Sequence, residues 1–276
     1  MARRMAKRSK QKSTVDRIFT VLILIFIVVF LVAAGMLINY YIRSNIERKN
    51  MDEIVTQMRA SEELSVKEGN KFDKDGILMK YSALHKKNED LRGWIKIDGT
   101  RIDYPVMQRD VEFYLHKNFE KEYADRGLPF LDVRSDTEWV SSNLIIHGHN
   151  MRDGTMFADL LKYKDNDYAE KHKIIKLDTL TEEREYELIG VFDVDTKIDD
   201  WRSDFTLYDI INMSDEEDAA KVNELIEKSS SYKSDLTVSA GDDLLTLSTC
   251  STYDAIHGRY VILAKRVDNA SGADKE

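Results

Sequence analysis

The feature that most constrains this chain is an uninterrupted apolar segment near its N-terminus. Ile18–Ile38 is 21 residues long and contains no charged side chain. About 20 apolar residues of helix are enough to cross the hydrocarbon core of a bilayer. Small residues at Ala33–Gly35 could belong to a cleaved signal peptide, but the apolar core of such a peptide usually spans only about 7–15 residues. We therefore predict an uncleaved, membrane-spanning signal-anchor helix over residues 18–41.

Basic residues precede this segment and set its predicted orientation. Residues 1–17 hold seven Lys and Arg against one Asp, and the positive-inside rule keeps such a basic tail in the cytoplasm. Everything after residue 41 is then expected outside the cell. Residues 1–49 contain ten basic and two acidic residues, so the whole-chain net charge of −9 leaves −17 for the remainder. A domain this acidic is a poor match for phosphate backbones, and no nucleic-acid partner is expected.

Helices and then strands are predicted beyond the anchor. Arg43–Glu68 is polar and free of Gly and Pro, so residues 42–72 are interpreted as a helical stalk. A short amphipathic helix is expected within Gly76–Asn88. From residue 93 onward, short apolar runs alternate with turn residues, which is typical of β-strands. The predicted strands are Trp94–Ile97, Ile102–Val106, Leu128–Asp132, Asn143–His149, Lys173–Leu177, Glu185–Asp193, Leu236–Val238, Leu244–Cys250 and Arg259–Val267.

This pattern defines the fold class and the domain limits. Many short strands with few long helices indicate a mainly β fold with peripheral helices, built as a closed or nearly closed β-barrel. The domain is expected over residues 73–268, followed by a frayed tail over residues 269–276.

A further helix is predicted in the long connection between Asp193 and Leu236. Ser214 followed by Glu217 matches a capping box at a helix N-terminus. The apolar residues after it then form one helix face: Ala219, Val222, Leu225 and Ile226. A connection of this length is usually functional when it is ordered.

The chain contains a single cysteine, Cys250, in the domain predicted to lie outside the cell. An unpaired cysteine in an exported domain indicates a reactive thiol or an intermolecular bridge, whereas many buried cysteines only fill space. In the predicted strand, Leu245 and Leu247 face one side and Cys250 faces the other at the strand end. This placement favours a nucleophile.

Arg259 is expected beside Cys250. Eight residues separate the two, and Arg259 opens the next predicted strand. Neighbouring antiparallel strands joined by such a loop bring the end of the first beside the start of the second. A guanidinium at this place can hold a substrate carbonyl or a developing oxyanion. Taken alone, Arg259 could equally be a surface residue paired with Asp254.

The third element is a pair of histidines, His147 and His149, on one face of a predicted strand end. A neutral imidazole can take and give the proton that a thiol nucleophile requires; a histidine bonded only to backbone is the alternative. His147, His149 and Asp153 also resemble a metal-ligand set. The further ligands that such a site needs are not evident in the sequence, so no metal is predicted.

Several motifs together resemble the class B sortases, a family of cysteine transpeptidases of Gram-positive bacteria. The similar segments are Thr246–Cys250 (the TLxTC motif), Arg259, Gly148–Met151 with Gly154–Phe157, and residues 88–94, 104–108, 114–115 and 118–119. The resemblance covers about residues 75–267. The chain departs from the class at His147, where Tyr is common, and at Ser251, where an acidic residue is frequent.

The resemblance implies a sortase-type closed β-barrel of about eight strands with a defined set of site residues. Cys250 would be the nucleophile, His149 the acid and base, and Arg259 the oxyanion-stabilising partner. The expected substrate contacts are Ser248, Leu115, Thr249 and His147, with residues 196–232 as a wall for the sorting motif.

The resemblance also implies the reaction and its partners. A C-terminal sorting motif of secreted proteins would be cleaved through a Cys thioacyl intermediate, and the acyl group would pass to an amine of cell-wall peptidoglycan. No metal or organic cofactor is required. Three alternatives stay open: a pilin-polymerising sortase, a cysteine protease of the same fold in which water resolves the acyl-enzyme, and a membrane-tethered binding module with an inert Cys250.

Overall fold

The fold comes from a computed structural model, which describes residues 14–136, 143–195, 208, 210–251 and 258–267. The chain divides into two compact units, residues 1–52 and 53–276. The helices are α1 (Thr14–Glu68), α2 (Met79–Lys87), α3 (Asn166–Lys171) and α4 (Glu216–Ser229), with 3-10 helices at Phe113–His116 and Phe157–Lys164. The strands are β1 (Leu91–Lys96), β2 (Asp103–Met107), β3 (Phe130–Leu131), β4 (Asn143–His147), β5 (Ile174–Thr179), β6 (Glu183–Asp195), β7 (Leu244–Cys250) and β8 (Gly258–Val267).

Helix α1 contains the apolar segment predicted from the sequence. It is 55 residues long, and its most apolar 18-residue window has a mean hydropathy of 3.4 with none of that window buried. By length and composition this helix can cross a membrane, which fits a membrane anchor. The same helix continues through Arg43–Glu68, so the segment interpreted as a stalk is helical; its orientation relative to a membrane stays a prediction.

Eight strands close into a barrel in the order β1-β2-β3-β4-β7-β8-β6-β5. Neighbouring strands are antiparallel, except that β2 pairs in parallel with β3 and β4 pairs in parallel with β7. The strands are rich in Ile, Leu, Val and Tyr side chains that are at most 2% exposed, among them Ile95, Leu144, Leu177, Leu247 and Ile262. Removal of this apolar area from water stabilises the closed sheet by about 25 cal/mol per Å². The predicted mainly β barrel with peripheral helices is therefore confirmed.

Helix α4 covers one outer face of the barrel. Its Ala219 and Val222 pack in one buried cluster with Leu244 of β7 and with Val261 and Leu263 of β8. The apolar face predicted for this helix is therefore confirmed. The cluster buries β7 and β8 beside α4, whereas Cys250 at the other end of β7 and its partner Arg259 on β8 are partly exposed.

The N-terminus of α4 differs from the prediction by one residue. Asp215 is the N-cap, and its carboxylate accepts a hydrogen bond of 2.9 Å from the Asp218 N–H. The expected cap was Ser214 with Glu217. Asp caps a helix as well as Ser does, so the sequence does not decide between Ser214 and Asp215 as the N-cap.

The predicted strand Leu236–Val238 is wrong. The Val238 N–H donates to Asn223 Oδ1 at 2.9 Å, and Asn223 Nδ2 donates to the Val238 carbonyl at 2.7 Å. One side chain of α4 thus satisfies both backbone groups of Val238, which a strand would have to pair with a neighbour. Val238 still joins the apolar cluster under α4, so its hydrophobicity reports burial and not strand pairing.

Gly93 marks a close approach inside the barrel. It lies where the register of β1 against β2 shifts, and a Cβ built on it would be 2.1 Å from the Asp178 carbonyl oxygen. We expect Gly93→Ala to lower the free energy of unfolding by about 2–4 kcal/mol, because backbone must move to relieve the overlap. Denaturant unfolding of the full-length chain in detergent micelles measures this loss.

The exposed residue Lys96 on the same strand provides the control for this measurement. Lys96→Ala should change the free energy of unfolding by less than about 0.5 kcal/mol. Equal losses in the two variants would contradict the role given to the Gly93 contact.

Candidate active site

Cys250 and Arg259 face each other across neighbouring strands of the barrel. Cys250 is the last residue of β7, and its Cα partner on the antiparallel strand β8 is Arg259, which is the adjacency expected from the sequence. Strand β7 is buried up to Thr249, and Cys250 is its first partly exposed residue, with a free thiol. The sulfur therefore lies where the packed strand ends and solvent begins.

His149 follows the end of β4 and is held by the 3-10 turn Phe113–His116. Its Nε2 is 2.9 Å from the Leu115 carbonyl oxygen. Because a carbonyl only accepts hydrogen bonds, Nε2 carries the proton, and the neutral ring keeps its lone pair on Nδ1. Burial lowers the pKa of His149; the Leu115 hydrogen bond opposes this shift, and the nearby His116 adds to it. The neutral imidazole, which can act as a base, is thereby favoured.

One cleft of about 310 Å³ brings the predicted site residues together. His149, Cys250 and Arg259 all line it, although they come from three different elements of the fold. The four expected substrate contacts line the same cleft: Leu115, His147, Ser248 and Thr249. The rest of the wall is largely apolar, with Val111, Phe130, Leu131 and Val133 beside the charged Glu112 and Asp132. An apolar cleft with a few convergent polar groups suits a bound peptide.

Hydrogen bonds tie the end of β7 to the histidine segment. The Gly148 N–H donates to the Ser248 carbonyl at 3.0 Å, and the Thr249 hydroxyl donates to the Gly148 carbonyl at 2.7 Å. Asn150 Nδ2 donates to the Cys250 carbonyl at 3.1 Å. The thiol-bearing strand end and the loop that carries the imidazole are therefore fixed to each other, and the Thr249 hydroxyl already has an acceptor within the protein.

Tyr208 contributes a side chain that the sequence did not single out. Its hydroxyl lies 2.7 Å from the Ser248 hydroxyl, and its ring stacks on His147 with 6.2 Å between centroids. Burial raises the pKa of Tyr208 to about 12, so the hydroxyl stays protonated at neutral pH. Tyr208 belongs to the 196–232 connection expected to wall the site; residues 196–207 and 209 of that connection lie outside the described residues.

Asp132 is a second cleft residue that sequence reasoning missed. Its carboxylate accepts from Arg134 Nε at 2.9 Å and lies 3.4 Å from His147 Nε2. Burial by itself would raise the pKa of Asp132, but the hydrogen bonds from His147 and Arg134 hold it well below its usual range. Pairing of β3 with β4 sets Phe130 opposite His147 and so brings Asp132, which follows β3, to the cleft; the sequence alone gives no signal for this pairing.

Asp153 is engaged away from the two histidines with which it was weighed as a metal ligand. Its carboxylate lies 3.4 Å from Arg126 Nη2 and accepts from the Thr155 hydroxyl at 2.6 Å. Within the described ranges, no group of three or more His, Cys, Asp and Glu side chains is arranged to hold a metal ion.

Known proteins resemble this chain over most of its length. The sequence matches the Sortase domain family over residues 95–267. Sortase B of Listeria monocytogenes is 38% identical to it over 186 residues, which are 67% of this chain and 72% of that protein. Sortase B of Staphylococcus aureus is 28% identical over 253 residues, 90% of this chain and 96% of that protein. The solved Staphylococcus aureus sortase B-substrate complex is similar in fold, with a TM-score of 0.69 at 28% identity, and the match covers 83% of this chain and 100% of that one.

The charge on Asp132 allows a test of whether its ionised carboxylate stabilises this wall of the cleft. Asp132→Asn should lower the free energy of unfolding at pH 7 by about 1–3 kcal/mol, because the charged acceptor of the hydrogen bonds from Arg134 and His147 is lost. A carboxyl whose pKa is lowered by folding stabilises the protein above its unfolded-state pKa of about 3.9, and this contribution disappears as the pH falls through that region and below. The difference between wild type and variant should therefore be full at pH 7 and shrink below about pH 4.

Denaturant unfolding at a series of pH values measures this difference. Asp110→Asn is the matched control, since that side chain is 82% exposed; it should change stability by less than about 0.5 kcal/mol at any pH. A loss in Asp132→Asn that stays constant from pH 7 to pH 3 would contradict the assignment of an ionised carboxylate.

Proposed function

Because the chain belongs to the class B sortases, which are transpeptidases, we propose that it joins C-terminal sorting motifs of secreted proteins to an amine of cell-wall peptidoglycan. The observation that carries this proposal is the convergence of Cys250, His149 and Arg259 on one cleft. A thiol, an imidazole and a guanidinium in one place supply a nucleophile, a proton carrier and a cationic donor, which are the groups that acyl transfer needs.

In the first half of the proposed reaction, the Cys250 thiol passes its proton to Nδ1 of His149, and the resulting thiolate attacks the carbonyl carbon of the scissile peptide bond. The carbonyl oxygen takes up the negative charge as the C–S bond forms. The intermediate then collapses, the C–N bond breaks, and His149 gives its proton to the departing amine. The product is a thioester between the sorting motif and the Cys250 sulfur.

In the second half, an amine of the acceptor attacks the thioester. His149, now neutral, accepts a proton from the attacking nitrogen. A new amide bond forms, and the thiolate leaves. The lowered pKa of His149 supports this return step, because burial favours the neutral base.

Arg259 is the proposed partner of the oxyanion. Arg259 is the Cα partner of Cys250 on the neighbouring strand, so its guanidinium belongs to the residue directly opposite the proposed nucleophile. Arg stays charged at any physiological pH and offers several donors in a rigid fork. A preformed donor aimed at developing charge stabilises the transition state more than the ground state.

The position of the substrate follows from the cleft walls. The apolar side chains beside Cys250 would receive the sorting motif, with Leu115, His147, Ser248 and Thr249 as the proposed contacts. A relative, the Staphylococcus aureus sortase B, is solved as a substrate complex, which supports substrate binding by this chain. We also propose that α1 anchors the enzyme with its N-terminus in the cytoplasm and residues 73–268 as an extracellular catalytic domain, where exported substrates emerge.

Replacement of the nucleophile is the direct test of this function. Cys250→Ala should abolish transfer because the nucleophilic sulfur is lost, and it should leave the fold intact because Cys250 is partly exposed at the end of its strand. The full-length enzyme is incubated with candidate sorting peptides, and mass spectrometry detects the acyl-enzyme as an added mass on the wild type alone. Transfer at the wild-type rate in Cys250→Ala would end the proposal; Lys96→Ala, remote and exposed, should behave as wild type.

The same assay separates the transpeptidase from two of the alternatives, the cysteine protease and the binding module. A transpeptidase gives a product that partitions toward the amide as a primary amine is added, whereas a cysteine protease gives the hydrolysed acid at every amine concentration. A pure binding module leaves Cys250 unreactive toward a thiol probe in the folded protein and forms no adduct with any peptide.

A second prediction concerns Arg259. Arg259→Ala should lower kcat/KM for transfer about 10²–10³-fold, the usual loss when one oxyanion donor is removed. Arg259→Lys keeps the positive charge but loses the rigid fork of donors, so its kcat/KM should lie between those of the wild type and Arg259→Ala. Initial rates of acyl-enzyme formation, measured in quenched assays, give kcat/KM for both variants. An Arg259→Ala enzyme with unchanged kcat/KM would exclude the oxyanion role.

A further inference from the structure

A second histidine packs against His149 from the turn that accepts its hydrogen bond. The ring centroids of His116 and His149 are 5.4 Å apart, with 33° between the planes. His116 also stacks on Tyr123, with 6.1 Å between centroids and 23° between planes, and its carbonyl accepts from the Ala124 N–H at 3.1 Å. His116 is an exposed residue, but its ring contacts two other rings, those of His149 and Tyr123.

The turn that carries His116 is fixed from behind by a close backbone approach. Gly127 has a φ of +53°, and a Cβ on it would lie 2.3 Å from the Leu115 carbonyl oxygen and 2.4 Å from the Tyr114 carbonyl oxygen. The Leu128 N–H donates to the Tyr114 carbonyl at 3.0 Å, and the buried Tyr114 hydroxyl donates to Asp90 at 2.7 Å. The carbonyl that holds His149 is therefore set by main-chain packing.

Resting on the proposed function, we propose that His116 is a positioning residue for the transfer reaction. It packs on the imidazole of His149 and keeps that ring in the orientation in which Nε2 meets the Leu115 carbonyl and Nδ1 is left for proton transfer. Without this contact, rotation of the ring about the Leu115 hydrogen bond would be less restricted, because a single hydrogen bond leaves rotation about it open.

His116 also acts on His149 through charge. When His116 is protonated, it disfavours a second positive charge nearby, and this effect adds to burial in lowering the pKa of His149. Among the residues that the structure describes, the other titratable or charged groups that line the cleft or join His116 through Tyr123 are Glu112, Tyr123, Asp125, Asp132, His147, Cys250 and Arg259. These groups remain when His116 alone is replaced, so a change in the His149 titration then reports on His116.

Two variants separate the contact from the charge. His116→Phe keeps an aromatic ring against His149 but removes the charge, so the pKa of His149 should rise while its proton stays on Nε2. His116→Ala removes both, so the pKa should rise and the preference for the Nε2 proton should weaken. We expect kcat in His116→Ala to fall about tenfold with little change in KM for the sorting peptide, a part of the 10²–10⁴ that a positioned proton carrier contributes.

Nuclear magnetic resonance of full-length protein with ¹⁵N-labelled histidine, in detergent micelles, measures the His149 titration and the nitrogen that carries its proton. His172→Gln is the matched control: its Nδ1 also binds a backbone carbonyl, that of Asp98 at 2.8 Å, but on another element, and its loss should leave the His149 signals unchanged.

The proposal is overturned if the His149 tautomer and titration in His116→Ala match the wild type. This outcome is distinct from failure of the proposed function, in which no acyl-enzyme forms or transfer survives Cys250→Ala. The nuclear magnetic resonance readout does not depend on turnover, so each of the two proposals can fail alone.

Discussion

Parallel pairing of β4 with β7 is the constraint on which the site depends. In a parallel pair both strands run toward the same edge of the sheet, so the residues that follow His147 and Ser248, which are paired, emerge side by side. This is why an imidazole and a thiol about 100 positions apart in the chain share one cleft. The antiparallel pairing of β7 with β8 then sets Arg259 at the same edge, opposite Cys250. The chemistry of the cleft is thus a consequence of strand direction.

A buried amide at the other end of the pair fixes its register. Asn143 is 0% exposed; its Oδ1 accepts from the Thr246 hydroxyl at 2.8 Å, and its Nδ2 donates to the Ile210 carbonyl at 2.9 Å. A slip of one residue between β4 and β7 would separate Asn143 Oδ1 from the Thr246 hydroxyl in an apolar interior, at about 1–3 kcal/mol for each group left without a partner. The register is therefore set at the buried end of the strand pair. It determines which residues lie together four residues later, at the open end where substrate would bind.

The parts of the molecule that could be predicted are those that local pattern decides. Apolar alternation located the strands of the barrel, and the short spacing between Cys250 and Arg259 implied their adjacency, because one loop joins the two strands. The expectation of a strand at Leu236–Val238 is wrong because the side chain of Asn223, on the preceding helix α4, took the place of a strand partner. Asp132 and Tyr208 reach the cleft only through contacts between remote segments. No periodicity in one sequence encodes such contacts, so charge and aromatic stacking in the wall could not be foreseen.

The two sides of the cleft are supported by different kinds of structure. Cys250 and Arg259 sit on adjacent strands with a continuous ladder of hydrogen bonds, whereas His149 lies beyond the end of its strand. Its place depends on loop contacts such as Gly148, where a Cβ would lie 2.7 Å from the Phe157 ring, and on one carbonyl of a 3-10 turn. Local opening takes less free energy in loops than in a closed sheet. Sequence changes and heating should therefore displace the His149 imidazole before the Cys250 sulfur. The loops can then shift the imidazole while the barrel keeps the Cys250 thiol and the Arg259 guanidinium in place.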